Sequence, residues 1–485
     1  MVFSSYLFLF YFLPASLLLY YAAPRRARHF LLTLVSYVFY GWASPLFVFL
    51  LLISTLIDYV VGLVIVGHGV RNWGTPIPQL EPGAPRTRKQ RIALVVSMAS
   101  NLSLLGFFKY FNFATDNFDA IVAWVGLPEL QIQRAITVVL PLGISFYTFQ
   151  SMSYTIDVYR GHTRALRNFI DFACFVSMFP QLVAGPIIRF SEVADQLATR
   201  THTLTQFARG VAFVSVGLAK KILVANPCGK VADVAFDAAS IGAMDAWYGV
   251  TAYAFQIYFD FSAYSDMAVG LGLMMGFIFT KNFDSPYLAQ SITEFWRRWH
   301  ISLSTWLRDY LYVPLGGNQR GALRTYVNLA LVMLLGGLWH GAAWNFVVWG
   351  GLHGLLLAGE RLRGKRSPYC WLPKAGRQAV TFVVVLITWV FFRAEDLSSA
   401  MLYLKSMFGL EVVHESAGLL SGILYQPYYL GTVLVAALVT WSCPQTWDWT
   451  RTLTAWKAIA VVALWLASIG VLATQAYNPF IYFIF

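Results

Sequence analysis

SITEFWRRWHISLSTWLRDYLYVPLGG (Ser291–Gly317) and LLGGLWHGAAWNFVVWGGLHG (Leu334–Gly354) are the two halves of the most informative segment of this 485-residue chain. Both are rich in aromatic and small residues. Each carries a histidine, His300 or His340, in surroundings that otherwise read as membrane interior. Ionisable groups at membrane depth are costly and point to function by default. Glu294, Arg297, Arg298, His300, Arg308 and Asp309 all fall within sixteen residues, too many for a lipid-facing helix. Such a segment has to face protein, the interface or a water-filled cavity.

Working outward, the whole chain is 58% hydrophobic and only 12% charged, with a mean hydropathy of +0.59. Soluble domains are about 45–50% apolar and about 25% charged. The class implied is an all-α polytopic membrane protein with about a dozen spans of about 20 residues, in one membrane domain covering 1–485. The apolar runs are continuous rather than alternating, which excludes a membrane β-barrel. The net charge of +12 belongs to cytoplasmic loops and gives no reason to expect a nucleic-acid partner. Cys174, Cys228, Cys370 and Cys443 have no metal-type spacing and read as small buried apolar residues.

The N-terminal run Val2–Tyr21 lacks a basic leader and reads as a retained span. Arg25, Arg26 and Arg28 follow it and put that side in the cytoplasm. The GWASP turn (Gly41–Pro45) splits Phe30–Ile65 into two spans. Basic loops His68–Arg91 (with Arg71) and Asp157–Arg167, and the acid-rich loop Asp116–Arg134, then alternate as the positive-inside rule requires. The alternation fails at Ile278–Arg324, which is basic where an outer loop is expected. Ser291–Gly317 is therefore expected to lie as re-entrant or interfacial helices beside a cavity. The C-terminal YNPFIYFIF is expected in the outer interface.

His340, in GGLWHGAAW, is the sharpest candidate. Gly336, Gly337 and Gly341 allow close approach, Trp339 and Trp344 supply walls, and imidazole titrates near neutrality, as a general base for acyl transfer to a hydroxyl requires. A buried histidine bonded to a neighbouring helix is the competing reading, at equal weight. His300 follows Trp296, Arg297, Arg298 and Trp299, and on spacing alone an interfacial anchor helix is the favoured explanation of that pattern. Glu294 can pair with Arg297 or Arg298. Asp260 and Asp266 can pair with the arginines of the next segment. On a continuous helix His353 lies about 220° from His340 and faces elsewhere. His29, His68, His162, His202 and His414 read as solvated. Nothing matches a nucleotide, nucleophile-elbow or zinc motif, so no metal is expected.

YFDFSAYSDMAVGLGLMMGF (Tyr258–Phe277), NFDSPYLAQSITEFWRRWHISLSTWLRDYLYVPLGG and LLGGLWHGAAWNFVVWGGLHG resemble the membrane-bound O-acyltransferase family, and in particular its branch that modifies exported bacterial polysaccharides such as alginate. VFSSYLFLFYFLP, LPLGISFYTFQSMSYTIDVYRG (Leu140–Gly161) and FPQLVAGPIIRF (Phe179–Phe190) extend the likeness over most of the chain. The resemblance implies a ring of about 11–12 transmembrane helices, with re-entrant or interfacial helices around a thin central funnel and a catalytic core over about 140–360. It implies His340 as the essential histidine of the WHG motif, and His300 as the second motif histidine. It further implies acetyl transfer from a cytoplasmic thioester, acetyl-CoA first, across the bacterial inner membrane to a polysaccharide, with a periplasmic SGNH-hydrolase-like acetyltransferase as partner. His300 would orient the donor or stabilise developing negative charge. Trp296, Arg297, Trp299, Trp339 and Asn345 are the expected substrate-binding residues. No bound cofactor is expected. The alternatives are cellulose or another polymer, D-alanyl transfer to teichoic acid, a transporter without chemistry, or a secretion scaffold.

Overall fold

A computed structural model describes residues 1–69, 75–132, 136–183, 185–364, 366–475 and 477–481. Arg71 and Arg134, which enter the loop charges above, and the terminal 482–485 lie outside them. Every regular element among the described residues is helical. The chain divides into two compact units, Met1–Phe207 with Gly272–Phe279, and Ala208–Leu271 with Thr280–Phe485.

The first unit contains α1 (Leu7–Ala22), α2 (Arg28–Gly41), α3 (Phe47–Ile65), α4 (Arg88–Val125), α5 (Ile144–Arg160), α6 (Phe169–Ser177) and α7 (Phe190–Ala198). The GWASP turn separates α2 from α3, as its glycine and proline require. The α3–α4–α5 contact is held by polar groups. Asp58 is fully buried and accepts from Ser97 Oγ at 2.6 Å and Asn101 Nδ2 at 2.7 Å, while Ser97 and Thr155 hydroxyls meet at 2.9 Å. Such bonds glue apolar helices where no hydrophobic gain separates protein from lipid. α4 runs to Val125 and absorbs much of the expected Asp116–Arg134 loop. His29 bonds Asp171 at 2.6 Å and His68 is buried, so neither is the solvated loop residue expected.

The second unit contains most of α8 (Leu204–Ala219), a π-helical turn (Lys220–Ala225), α9 (Asn226–Phe236), most of α10 (Ala243–Met274), α11 (Ile292–Arg298), α12 (Ile301–Leu307), α13 (Gly321–His340), α14 (Trp344–Leu362), α15 (Lys374–Arg393), α16 (Leu397–Met407), α17 (Pro427–Ser442) and α18 (Ala455–Thr474). Pro227 has no N–H to continue the α-helical ladder, and the chain widens to a π turn just before it. That turn lets two consecutive lysines reach α10. Lys221 Nζ lies 2.8 Å from Asp260 Oδ1, both side chains buried, and Lys220 Nζ lies 2.7 Å from Asp266 Oδ2. The aspartates thus pair with lysines earlier in the chain, not with the arginines after them.

The expected spans, cysteines and C-terminal segment each find a place in the fold. Among the described residues five helices are long and apolar enough to cross a membrane, and six if the bent pair Ala417–Leu424 and Pro427–Ser442 counts as one. The other apolar helices fall outside that length and composition; α5, for example, has 17 residues with almost every side chain buried. Cys370 and Cys443 are exposed, whereas Cys174 and Cys228 are buried. The C-terminal residues 479–481 pack against α10 and the π-helical turn. Ile481 N donates to Asp260 Oδ2 at 2.9 Å, Phe480 stacks on Tyr264 at 4.3 Å, and Lys221 donates to Pro479 O. Burying a tail there satisfies the second oxygen of a carboxylate already committed to Lys221.

Candidate active site

The WRRWHISLS stretch folds as two short helices joined by a sharp reversal. Ser291 caps α11 by accepting from Glu294 N at 3.0 Å. The buried Glu360 of α14 accepts from the next free amides, Ile292 N at 2.7 Å and Thr293 N at 2.9 Å. A helix start leaves its first N–H groups without intrahelical partners, and a carboxylate suits that positive end. Arg298 pairs with Glu294 at 2.7 Å, which selects the i,i+4 option, and also donates to Asp284 O at 3.0 Å.

The helix then stops. Trp299 is extended, and His300 adopts φ 42° and ψ 55°. This left-handed conformation is uncommon for any residue other than glycine, histidine being among the side chains that tolerate it, and here the surroundings hold it. Residues 282–284 do so: Asp284 N donates to Arg298 O and Ile301 N donates to Asn282 O, both at 2.9 Å. The reversal drives the His300 ring into the core, where it has no solvent exposure. Trp296, on α11, and Leu303, on α12, therefore belong to two different helices, with His300 at the turn between them.

His340 is the last residue of α13. The chain turns through Gly341–Ala343 into α14, so Leu334–Gly354 is a hairpin and not one helix. Glycines make the hairpin possible. A Cβ on Gly337 would stand 2.2 Å from Phe346 O, one on Gly350 2.3 Å from Met333 O, and one on Gly341 2.1 Å from the Phe346 ring. The tight crossing places His340 among Trp339 at 5.0 Å, Phe392 at 5.1 Å and Trp349 at 5.3 Å, ring centroid to centroid. His300 stands 6.5 Å away. Beside them lies a cavity of about 10 Å³ lined by His340, Trp299, Phe261, Trp389, Phe392 and Ile481, about the room of one water.

The polar partners of His300 fix its tautomer. Asn282 Oδ1 receives Ser302 N at 3.2 Å and Ser302 Oγ at 2.9 Å, and lies 3.2 Å from His300 Nδ1. A backbone amide can only donate, so the asparagine atom is the oxygen. Nδ1 of the neutral ring must then carry the hydrogen, and Nε2 carries the lone pair. Nε2 has no hydrogen-bond partner among the described residues. It is a buried acceptor.

The expected substrate residues divide. Trp339 stands 6.0 Å from His300, and Trp299 lines the cavity with His340. Trp296 turns elsewhere and donates to His353 Nδ1 at 3.2 Å. Asn345 is buried, its amide donating to Ala394 O at 2.7 Å. Arg297 is exposed and makes no ion pair among the described residues. Trp344 is 55% exposed, and Trp349 takes the wall position expected of it. His353, set aside on a helical angle, lies behind Trp349 at 5.0 Å, because that angle was taken across the break at Gly341. Sequence reasoning missed Asn282, Phe261 and Phe392. Phe261 lies inside the YFDFSAYSD run and Asn282 opens the NFDSPYL run, but neither run singles out the residue that reaches the site. Among the described residues no three His, Cys, Asp or Glu side chains come together as a metal site.

The family model for the membrane-bound O-acyltransferases matches residues 162–403, which include both histidines. The chain is 44% identical over 513 aligned residues to a probable alginate O-acetylase AlgI of Pseudomonas putida, with both chains covered completely. It is 48% identical over 414 residues to the protein of the same description from Pseudomonas aeruginosa, covering 84% of this chain and 75% of that one. A peptidoglycan O-acetyltransferase of Helicobacter pylori is 38% identical over 448 residues, covering 85% and 81%. This chain belongs to the membrane-bound O-acyltransferase family and is a multi-pass membrane O-acyltransferase.

Proposed function

We propose that the chain transfers an acetyl group from a thioester on the cytoplasmic side, acetyl-CoA first among them, to a hydroxyl of an exported polysaccharide. Alginate is the first candidate polymer, because the relatives matched at 44–49% identity carry that description. The membrane is the bacterial inner membrane, and a periplasmic SGNH-like acetyltransferase is the partner. The observation that carries the reading is the pair of imidazoles 6.5 Å apart among aromatic rings.

In this reading His340 takes the proton of the acceptor hydroxyl as its oxygen bonds to the thioester carbonyl carbon. The carbon–sulfur bond then breaks, and the imidazolium returns the proton to the departing thiolate. Proton transfer of this kind contributes about 10²–10⁴-fold. Between the two roles open to His300, its tautomer favours orientation. A neutral ring with its lone pair on Nε2 accepts an N–H or O–H of the substrates and cannot donate to an oxyanion. The aromatic walls exclude water, which would otherwise hydrolyse the thioester.

The test supplies the purified chain, in nanodiscs, with isotopically labelled acetyl-CoA and separately with alginate and peptidoglycan fragments, each with and without the partner. Labelled ester on alginate supports the reading. Ester formed only on peptidoglycan fragments moves the acceptor, and failure with acetyl-CoA but not with another thioester moves the donor.

A further inference from the structure

Asn282 opens the run that leads to His300, eighteen residues before it, and grips the His300 turn through both its backbone and its side chain. Its backbone carbonyl accepts Ile301 N at 2.9 Å. Its side-chain oxygen gathers His300 Nδ1, Ser302 N and Ser302 Oγ within 3.2 Å. Its Nδ2 is buried without a partner among the described residues, so the amide is held there by its oxygen alone. Leaving a buried donor unsatisfied is costly, and a purely structural site would be served as well by an acceptor with no such donor.

We infer that Asn282 is the positioning residue of His300: it imposes the left-handed turn and holds the proton on Nδ1, so that Nε2 faces the reaction as an acceptor. The inference rests on the role given to His300 above. An amide suits this task better than a carboxylate. It accepts the Nδ1 hydrogen without the negative charge that would draw a second proton onto the ring and convert Nε2 from acceptor to donor.

The test compares kcat and KM against pH for the wild type, Asn282→Ala and Asn282→Asp, with His300→Ala as reference, in nanodiscs at matched folded fraction. Asn282→Ala frees the ring, and turnover is expected to fall about tenfold or more. Asn282→Asp keeps an oxygen in place but favours a protonated ring. Its activity is expected to be low in acid and to climb as pH rises, with the acidic limb displaced upward by about one unit or more. Full activity in Asn282→Ala, or a loss in Asn282→Asp by the same factor at every pH, overturns the inference. His300→Ala separates the two failures. If it is inactive while Asn282→Ala is fully active, only the positioning role falls; if it is fully active, the role of His300 falls and takes the positioning role with it.

Discussion

His300 and His340 lie forty residues apart in the chain, yet their rings stand 6.5 Å apart at 61°. Two breaks in helical geometry produce that meeting. The first is the left-handed turn at His300; the second is the glycine hairpin after His340. Both breaks are built from backbone contacts, so substitutions that disturb them are expected to act on the site at a distance.

The hairpin gives the sharpest contrast. A Cβ on Gly350 meets the Met333 carbonyl at 2.3 Å, backbone against backbone, whereas one on neighbouring Gly336 meets only Leu307 Cδ1 at 3.6 Å. Gly350→Ala is expected to destabilise by about 1–3 kcal/mol, as overpacking does, and to depress activity. Gly336→Ala is expected to be tolerated. Thermal unfolding of both variants in detergent checks this, and equal Tm values would be inconsistent with the close crossing.

The Lys221–Asp260 pair should behave as a buried ion pair. Lys221→Met leaves a carboxylate buried without its cation, at a cost of about 3–5 kcal/mol. Adding Asp260→Asn removes the stranded charge and is expected to recover much of the loss. A double-mutant cycle on Tm reads the coupling, and additive single effects would mean that the 2.8 Å contact is not formed.

Glu360 holds the start of α11 from a different helix. Glu360→Ala is expected to cost about 1 kcal/mol in lost capping and to speed hydrogen exchange at Ile292 and Thr293. Glu360→Gln, which keeps one acceptor oxygen, is expected to fall between. Unchanged exchange at both amides in Glu360→Ala would contradict the capping role.

One pH dependence lies well away from the site. Asp396 caps α16 by accepting Ser399 N at 2.7 Å, and that bond holds its carboxyl below the usual carboxylate range. The folded value is thus the lower one. The cap contributes fully above the ordinary carboxylate value of about 3.9 and loses its contribution as pH falls through the folded value. The Tm gap between wild type and Asp396→Ala is expected to be constant near neutrality and to close in acid. A gap that widens in acid would reverse the sign.

Much of this was legible in the chain. Composition fixed the all-helical membrane class, and failure of charge alternation marked Ser291–Gly317 as something other than a plain span. His300 and His340 stood out because polar groups are rare in such surroundings. What periodicity could not show was where helices stop. No proline or glycine marks the reversal at Trp299–His300, which depends on tertiary contacts with 282–284, at the far end of the same quoted run. The angle used to dismiss His353 assumed a helix that Gly341 ends. Asp260 found Lys221 through a π turn, and a period of 3.6 residues does not anticipate such a turn. The burial of Phe480 and Ile481 depends on tertiary hydrogen bonds that apolar composition alone does not reveal.

The central claim is that His340 performs proton transfer in an acyl transfer inside the aromatic chamber. Its most direct measurement is label transfer from acetyl-CoA to polysaccharide by the purified chain in nanodiscs with its partner, comparing wild type with His340→Ala at matched Tm. Loss of about 10²–10⁴-fold in turnover, with donor binding retained, is the expected result. Turnover in His340→Ala equal to the wild type would contradict it.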